Sequence, residues 1–162
     1  MQIREIRPSE FDLVWPIFRA VIATGDTYAY DPATTFEEAK AMWTTPPARV
    51  FVAQEGERVL GCYLLKPNQT GLGDHVANAG YMVAPDARRQ GVAGAMCEHS
   101  LQTAREAGFA AMQFNFVVAS NTVAVSLWQK HGFEIVGRVP NVFRHSTRGL
   151  TDVYVMYRAL SP

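Results

Sequence analysis

The sequence predicts a mixed α/β domain whose N-terminal half pairs its strands mostly antiparallel. Three observations carry this. Arg49–Gln54 and Val59–Lys66 are rich in Val, Leu, Phe and Tyr and flank the turn Glu55-Gly56-Glu57-Arg58, a hairpin pattern. Met112, Phe114, Phe116 and Val118 alternate with Gln113 and Asn115, as one face of a strand does. Apolar sets at helical spacing fall between such stretches, so the order reads strand, two helices, hairpin, strand, helix, strand, helix, strand, strand.

Ile3–Arg7 is expected as the first strand. Ser9 is then placed to cap a helix carrying Phe11, Val14, Trp15, Phe18 and Ile22. Thr35-Phe-Glu-Glu38 fits a capping box, in which hydroxyl and carboxylate each take a free backbone N–H, and the helix it opens ends before Pro46-Pro47. After the hairpin, a polar loop over 67–75 leads to a strand over 76–84. A helix follows Pro85, with Ala93, Cys97, Leu101 and Ala104 on one face and Gly108 at its C-cap. Asn121 can cap the last helix, which Gly132 stops, and strands near 133–137 and 151–158 complete the chain. The 162 residues, 48% apolar, show no repeat or linker, so a single domain over 1–162 is expected.

Fifteen basic residues balance fifteen acidic ones, which gives no support to coating a nucleic acid or a membrane surface. Twelve of the fifteen bases are arginines, suited to forked contacts with phosphate and carboxylate. Cys62 and Cys97 have no CxxC spacing, so no metal site is expected. With no apolar leader in Met1–Arg7 and no long apolar run, a cytoplasmic setting is expected.

Tyr81–Gly94 carries the chemistry: a strand, a short loop with Arg88 and Arg89, then small residues opening a helix. The first N–H groups of a helix lack internal partners and the macrodipole adds positive charge, so such an end binds anions where nothing bulky blocks approach. Gly91, Ala93 and Gly94 keep it open, and two arginines suit a pyrophosphate better than one carboxylate. Neither G-x-x-x-x-G-K-[ST] nor G-x-G-x-x-G is present. What stands is R-x-x-G-x-A at Arg88, Gly91 and Ala93, followed by Asn121-Thr-Val-Ala-Val-Ser-Leu-Trp-Gln-Lys-His-Gly-Phe133. The pair resembles the acetyl-CoA motif and the N-x-x-A-x-x-L-Y-x-K-x-G-F segment of the GNAT superfamily of N-acyltransferases, and the resemblance covers essentially the whole chain.

That resemblance implies a GNAT fold, a mostly antiparallel mixed sheet with about four flanking helices and a splayed central strand pair. It implies acetyl-CoA as cosubstrate, its pantetheine pairing with the backbone of Tyr81, Met82 and Val83, and its pyrophosphate on Arg88, Arg89, Gln90, Gly91, Val92, Ala93 and Gly94. Asn121 would reach the pantetheine or serve only as an N-cap. The N-terminal half looks most like enzymes of the phosphinothricin type, which acetylate amino acids and analogues, and a homodimer is compatible with the family. A non-catalytic acyl-CoA sensor and a protein N-acetyltransferase are the alternatives.

The resemblance also exposes a gap. Trp128 stands where the family commonly has a tyrosine that protonates the departing thiolate, and indole is no useful acid, leaving Tyr81, Tyr154 or water, or unassisted departure. Many relatives carry a Glu base near Val76–Gly80, where this chain has Asn78, expected to hold the substrate's amine or carboxylate. Asp74, His75 and His145 are the titratable alternatives. Phe143-Arg144-His145, read as a loop, with Tyr28 and Tyr30, is expected to wall the acceptor pocket. Cys97 and Ser100 read as structural.

Overall fold

A computed structural model describes residues 1–160. One seven-stranded sheet, in the order β1-β2-β3-β4-β5-β7-β6, runs through the molecule. Its strands are β1 (Gln2–Glu5), β2 (Arg49–Glu55), β3 (Arg58–Pro67), β4 (Val76–Val83), β5 (Ala111–Val118), β6 (Glu134–His145) and β7 (Gly149–Ala159). Every pairing is antiparallel except β4 with β5. The helices are α1 (Trp15–Thr24), α2 (Phe36–Thr44), α3 (Val92–Glu106) and α4 (Thr122–Lys130), so the sheet and helix content match the expected GNAT architecture.

The first helix starts later than Ser9 implied. Pro8–Leu13 is a 3-10 turn and α1 begins at Trp15. Pro16 supplies the reason: without an N–H, and with a ring that clashes with the carbonyl four residues back, it is tolerated only in a first turn. The Thr35 capping box forms as read, with Glu38 N–H donating to Thr35 Oγ1 at 3.3 Å and Thr35 N–H donating to Glu38 Oε2 at 2.8 Å.

Alternation in β5 breaks where the sequence reading had it continue. A bulge between Phe114 and Val117 buries Met112, Phe114 and Val118 but turns Phe116 outward, 38% exposed, edge-on to Phe143. The last two strands are longer than expected. β6 continues through Phe143-Arg144-His145, which is therefore strand and not loop. Its irregularities at Ile135/Gly137 and Val139/Phe143 absorb Gly137 and Pro140, residues that disguise a strand, and a proline is tolerated because β6 is the sheet edge.

Side-chain alternation along β4 sends Tyr81 to the α3 face, where its hydroxyl meets Ser100 Oγ at 2.6 Å, and sends Gly80 to the α1 face, beside Tyr28. The α3 helix lies close to the sheet because Gly61 of β3 has no side chain. A Cβ there would stand 2.9 Å from Met96 Cε and 3.0 Å from both Met82 O and Val92 Cγ1. The buried core joins both faces, with Trp43, Phe18 and Phe11 on one side and Tyr63, Met96 and Cys97 on the other.

Candidate active site

The site begins at a missing stretch of ladder. β4 and β5 pair in parallel only at Val76–Ala111 and Ala77–Met112 and then diverge. The Asn78 amide sits at the point of divergence, donating from Nδ2 to Gln113 O at 3.0 Å. A carbonyl can only accept, so the NH2 faces Gln113 and Asn78 Oδ1 points elsewhere, free to accept. Asp74 and His75 precede the paired rungs and are exposed, which puts them at the closed end of the split, away from its mouth.

Backbone alternation decides which groups line the split. Ala84 N–H donates to Leu60 O and Asn68 N–H to Val76 O, so even-numbered β4 residues address β3. Ala110 N–H donates to His75 O, so odd ones address β5. Tyr81 and Val83 therefore turn N–H and C=O into the split, whereas Met82 offers β3 its backbone and contributes a side chain, 1% exposed, to the core.

Beyond β4 the chain turns through exposed Arg88, Arg89 and Gln90 into Gly91, the N-cap of α3 at φ +78. Left-handed backbone favours glycine, and a Cβ on Gly91 would meet nothing within 4 Å, so the approach is open. No side chain caps this end and no acidic residue occupies its first turn. Ala95 N–H bonds Gly91 O at 3.1 Å, which leaves the Val92, Ala93 and Gly94 N–H groups ahead of it without intrahelical partners. Gly94 also abuts α4: a Cβ there would lie 3.5 Å from His131 Nε2. Gln90 is tied back by Nε2 to Asp86 O at 3.1 Å.

Aromatic rings close the split from both faces. Trp128 of α4, 9% exposed, lies 4.9 Å from the Tyr81 ring and 5.2 Å from that of Phe114. From the α1 face Tyr28 donates its hydroxyl to Tyr81 O at 2.7 Å. Burial raises the phenol pKa of both Tyr28 and Tyr81, so both stay protonated hydrogen-bond donors. The Tyr81 hydroxyl is spent on Ser100 beneath the sheet, and Tyr154 lies on β7 under the Arg138 guanidinium. Cys97 is buried and its thiol pKa is pushed up to about 12 by burial, consistent with a structural role. Asn121 caps α4, its Oδ1 accepting from Ala124 N–H at 3.3 Å.

On the far side of α4's N-terminus a cavity of about 300 Å³ opens, lined by Asp26, Ser120, Asn121, His145, Thr147 and Arg148 among others. It exists because the β6–β7 turn docks on the end of α1, with Ser146 N–H donating to Gly25 O at 2.9 Å. Arg144, exposed on β6, does not line it, and neither does Tyr28; Arg148 and Thr27 do. His145 Nδ1 accepts from Thr147 N–H at 3.1 Å, which puts the proton of the neutral ring on Nε2. Ser120 Oγ is buried without a partner among the described residues. Sequence reasoning missed Asp26, Ser120 and Arg148, and adjacency to Asn121 was the one signal for Ser120. Among the described residues no cluster of three or more metal-ligating side chains occurs, and no helix is long and apolar enough to cross a membrane.

Residues 9–133 match the family described as Acetyltransferase (GNAT) family. The N-acetyltransferase aca1 of Schizosaccharomyces pombe is 27% identical over 151 residues, 83% of this chain and 72% of its own. A GCN5-related N-acetyltransferase from Kribbella flavida has a solved structure that is 43% identical and superposes with a TM-score of 0.92, over 98% of this chain and 96% of that one. A phosphinothricin acetyltransferase from Sinorhizobium meliloti, solved with acetyl-CoA, shares the fold at a TM-score of 0.87 and 18% identity, over 99% of this chain and 88% of its own.

Proposed function

The chain belongs to the acetyltransferase (GNAT) family of N-acetyltransferases, and on that footing we propose that it moves an acetyl group from acetyl-CoA to the primary or secondary amine of a small molecule, an amino acid or analogue. The carrying observation is the unpaired edge of β4 leading straight to the open N-terminus of α3. Bound there, acetyl-CoA supplies a thioester whose carbonyl is open to attack by a neutral amine. The residues present fit it: Tyr81 and Val83 offer backbone groups to a pantetheine, Val92, Ala93 and Gly94 offer N–H groups to a pyrophosphate, and Arg88 and Arg89 add charge. The Asn121 Nδ2, left over from capping, is a donor for an amide of the arm.

On the amine side Asn78 is the group we assign to orientation. Its Oδ1 accepts from an amine N–H, and because an amide takes no proton the amine must enter neutral. The cavity beside Asn121 combines Arg148 and His145 with Asp26, a pairing that suits a molecule bearing both a carboxylate and an amine. Balanced charge speaks against a basic peptide tail as the usual acceptor.

A scan of amines with acetyl-CoA, read as free thiol released, tests this. Turnover on an amino acid or analogue is expected. Tight binding of acetyl-CoA with no turnover on any amine would favour the sensor reading, and preference for a peptide would favour protein acetylation. Asn78→Ala should raise the amine KM or lower kcat while acetyl-CoA affinity holds, whereas parallel loss of folding would make Asn78 a structural pin of the split.

A further inference from the structure

We propose that Tyr28 is the hydrogen-bond donor to the departing thiolate, taking up from the α1–α2 loop the place that Trp128 leaves vacant on α4. The inference rests on the acetyl-CoA reading above, and three features of the fold carry it.

The first is position. Tyr28 Oη lies 2.7 Å from Tyr81 O, one of the β4 groups turned into the split, so the phenol enters the cleft at Gly80–Tyr81, between the backbone assigned to the pantetheine and Asn78 assigned to the amine, from the face opposite Trp128. The second is access. Gly80 makes room: its absent Cβ would stand 3.3 Å from Tyr28 Oη, tighter than ordinary contact. The third is rigidity. The Tyr28 ring stacks on Tyr30 at 5.6 Å and 16°, and Tyr30 Oη accepts from Trp43 Nε1 at 3.1 Å, in the core. A donor held this way reorganises little as charge develops. Rotation about its C–O bond alone redirects the proton from Tyr81 O toward a neighbouring anion.

The chemistry balances without ionising Tyr28. The amine nitrogen forms the new C–N bond, the C–S bond breaks with its electron pair leaving on sulfur, and the proton shed by nitrogen ends on that sulfur. Tyr28 keeps its own proton and only donates a hydrogen bond. Its surroundings agree with this role. Burial holds the phenol neutral, and the ionisable groups bearing on it, Tyr30 and Cys62, are themselves kept protonated by burial. Of the other tyrosines near the split, Tyr81 spends its proton on Ser100, and the Tyr30 oxygen is held against the Trp43 indole, from which it accepts.

The test reads the thiol of bound CoA directly. Thiolate absorbance is followed against pH for the protein with CoA, using the desulfo-CoA complex as the blank that cancels tyrosine. A donor to the thiolate lowers the bound thiol's pKa, so Tyr28→Phe should raise it by about one unit, a tenfold change in thiolate population. In the same variant kcat should fall by about tenfold to a hundredfold with the acetyl-CoA KM nearly unchanged. Gly80→Ala, which displaces the hydroxyl without removing it, should shift the thiol the same way. Tyr30→Phe, whose lost hydroxyl faces Trp43, should leave the titration at its wild-type place.

An identical thiol titration in wild type and Tyr28→Phe overturns the assignment. If Tyr28→Phe does not fold, Gly80→Ala decides by the same criterion. Failure of wild type to bind CoA at all overturns the acetyl-CoA reading itself, whereas binding with an unmoved thiol overturns only the role of Tyr28.

Discussion

Arg88 and Arg89 are both exposed at the approach to α3, and Arg89 holds φ +62, a backbone state an arginine occupies only where the surrounding turn imposes it. If their guanidinium groups meet phosphate, Arg88→Ala and Arg89→Ala should each weaken acetyl-CoA by about 1–3 kcal/mol, read by calorimetry. Donors lacking the nucleotide should feel less of the loss, and equal loss for every donor would remove both from the pyrophosphate. Trp128 behaves differently: its ring is packed between Tyr81 and Phe114, so Trp128→Tyr trades buried area for a hydroxyl in a site already served from the other face. Its kcat should rise by less than about threefold at any pH, because a second donor adds little to one already in place. A rise approaching a hundredfold would mean the thiolate leaves wild type unassisted. These residues show what a single sequence can and cannot reveal. The substitution at position 128 was plain from the motif, and Asn78 was visible as a polar residue in a strand. The tie of Asn78 to Gln113 O, and of Tyr28 to Tyr81 O across 53 positions, depends on where two strands part, which no local pattern encodes.

At the scale of elements, α3 does two jobs: its apolar face fills the core under β3 and β4, and its first turn offers the free N–H groups. Gly61 sets the distance between helix and sheet. Gly61→Ala puts a methyl within 3.0 Å of Met82 O, a backbone atom that cannot swing aside, and should destabilise the fold by about 1–3 kcal/mol in urea titration. Because the helix must lift at that end, acetyl-CoA affinity should fall as well; unchanged affinity would show that the first turn is held by the loop and not by Gly61. Most elements were legible because their signals are local, as with the Thr35 capping box, the hairpin around Gly56 and the glycine stops at 108 and 132. Apart from the bulge that turns Phe116 outward, the errors came where proline and glycine carry two meanings. Pro16 delayed a helix start without abolishing the helix, and Gly137 and Pro140 sat inside an edge strand that tolerates both.

Taken whole, the molecule leaves one side unfinished. β6 is twelve residues long, forms the outer edge of the sheet and exposes Ile135, Val136, Val139 and Val142, with Leu150 beside it on β7. A long apolar edge invites another chain, and a second copy brings the same surface, so a homodimer of the kind the sequence resemblance allows would use this strand. Val136→Lys combined with Val142→Lys should convert a dimer to a monomer in sedimentation; a wild type that is monomeric at high concentration would exclude the arrangement. The split carries a consequence of its own. With only two rungs between β4 and β5, the sheet is two half-sheets sharing a short seam, and a molecule lying along the free edge of β4 acts as the strand that is missing. Ligand and fold are then coupled through amide protection. On adding acetyl-CoA, hydrogen exchange should slow at Tyr81 and Val83, whose N–H groups face the seam, while Met82 between them, already bonded to β3, should exchange at an unaltered rate.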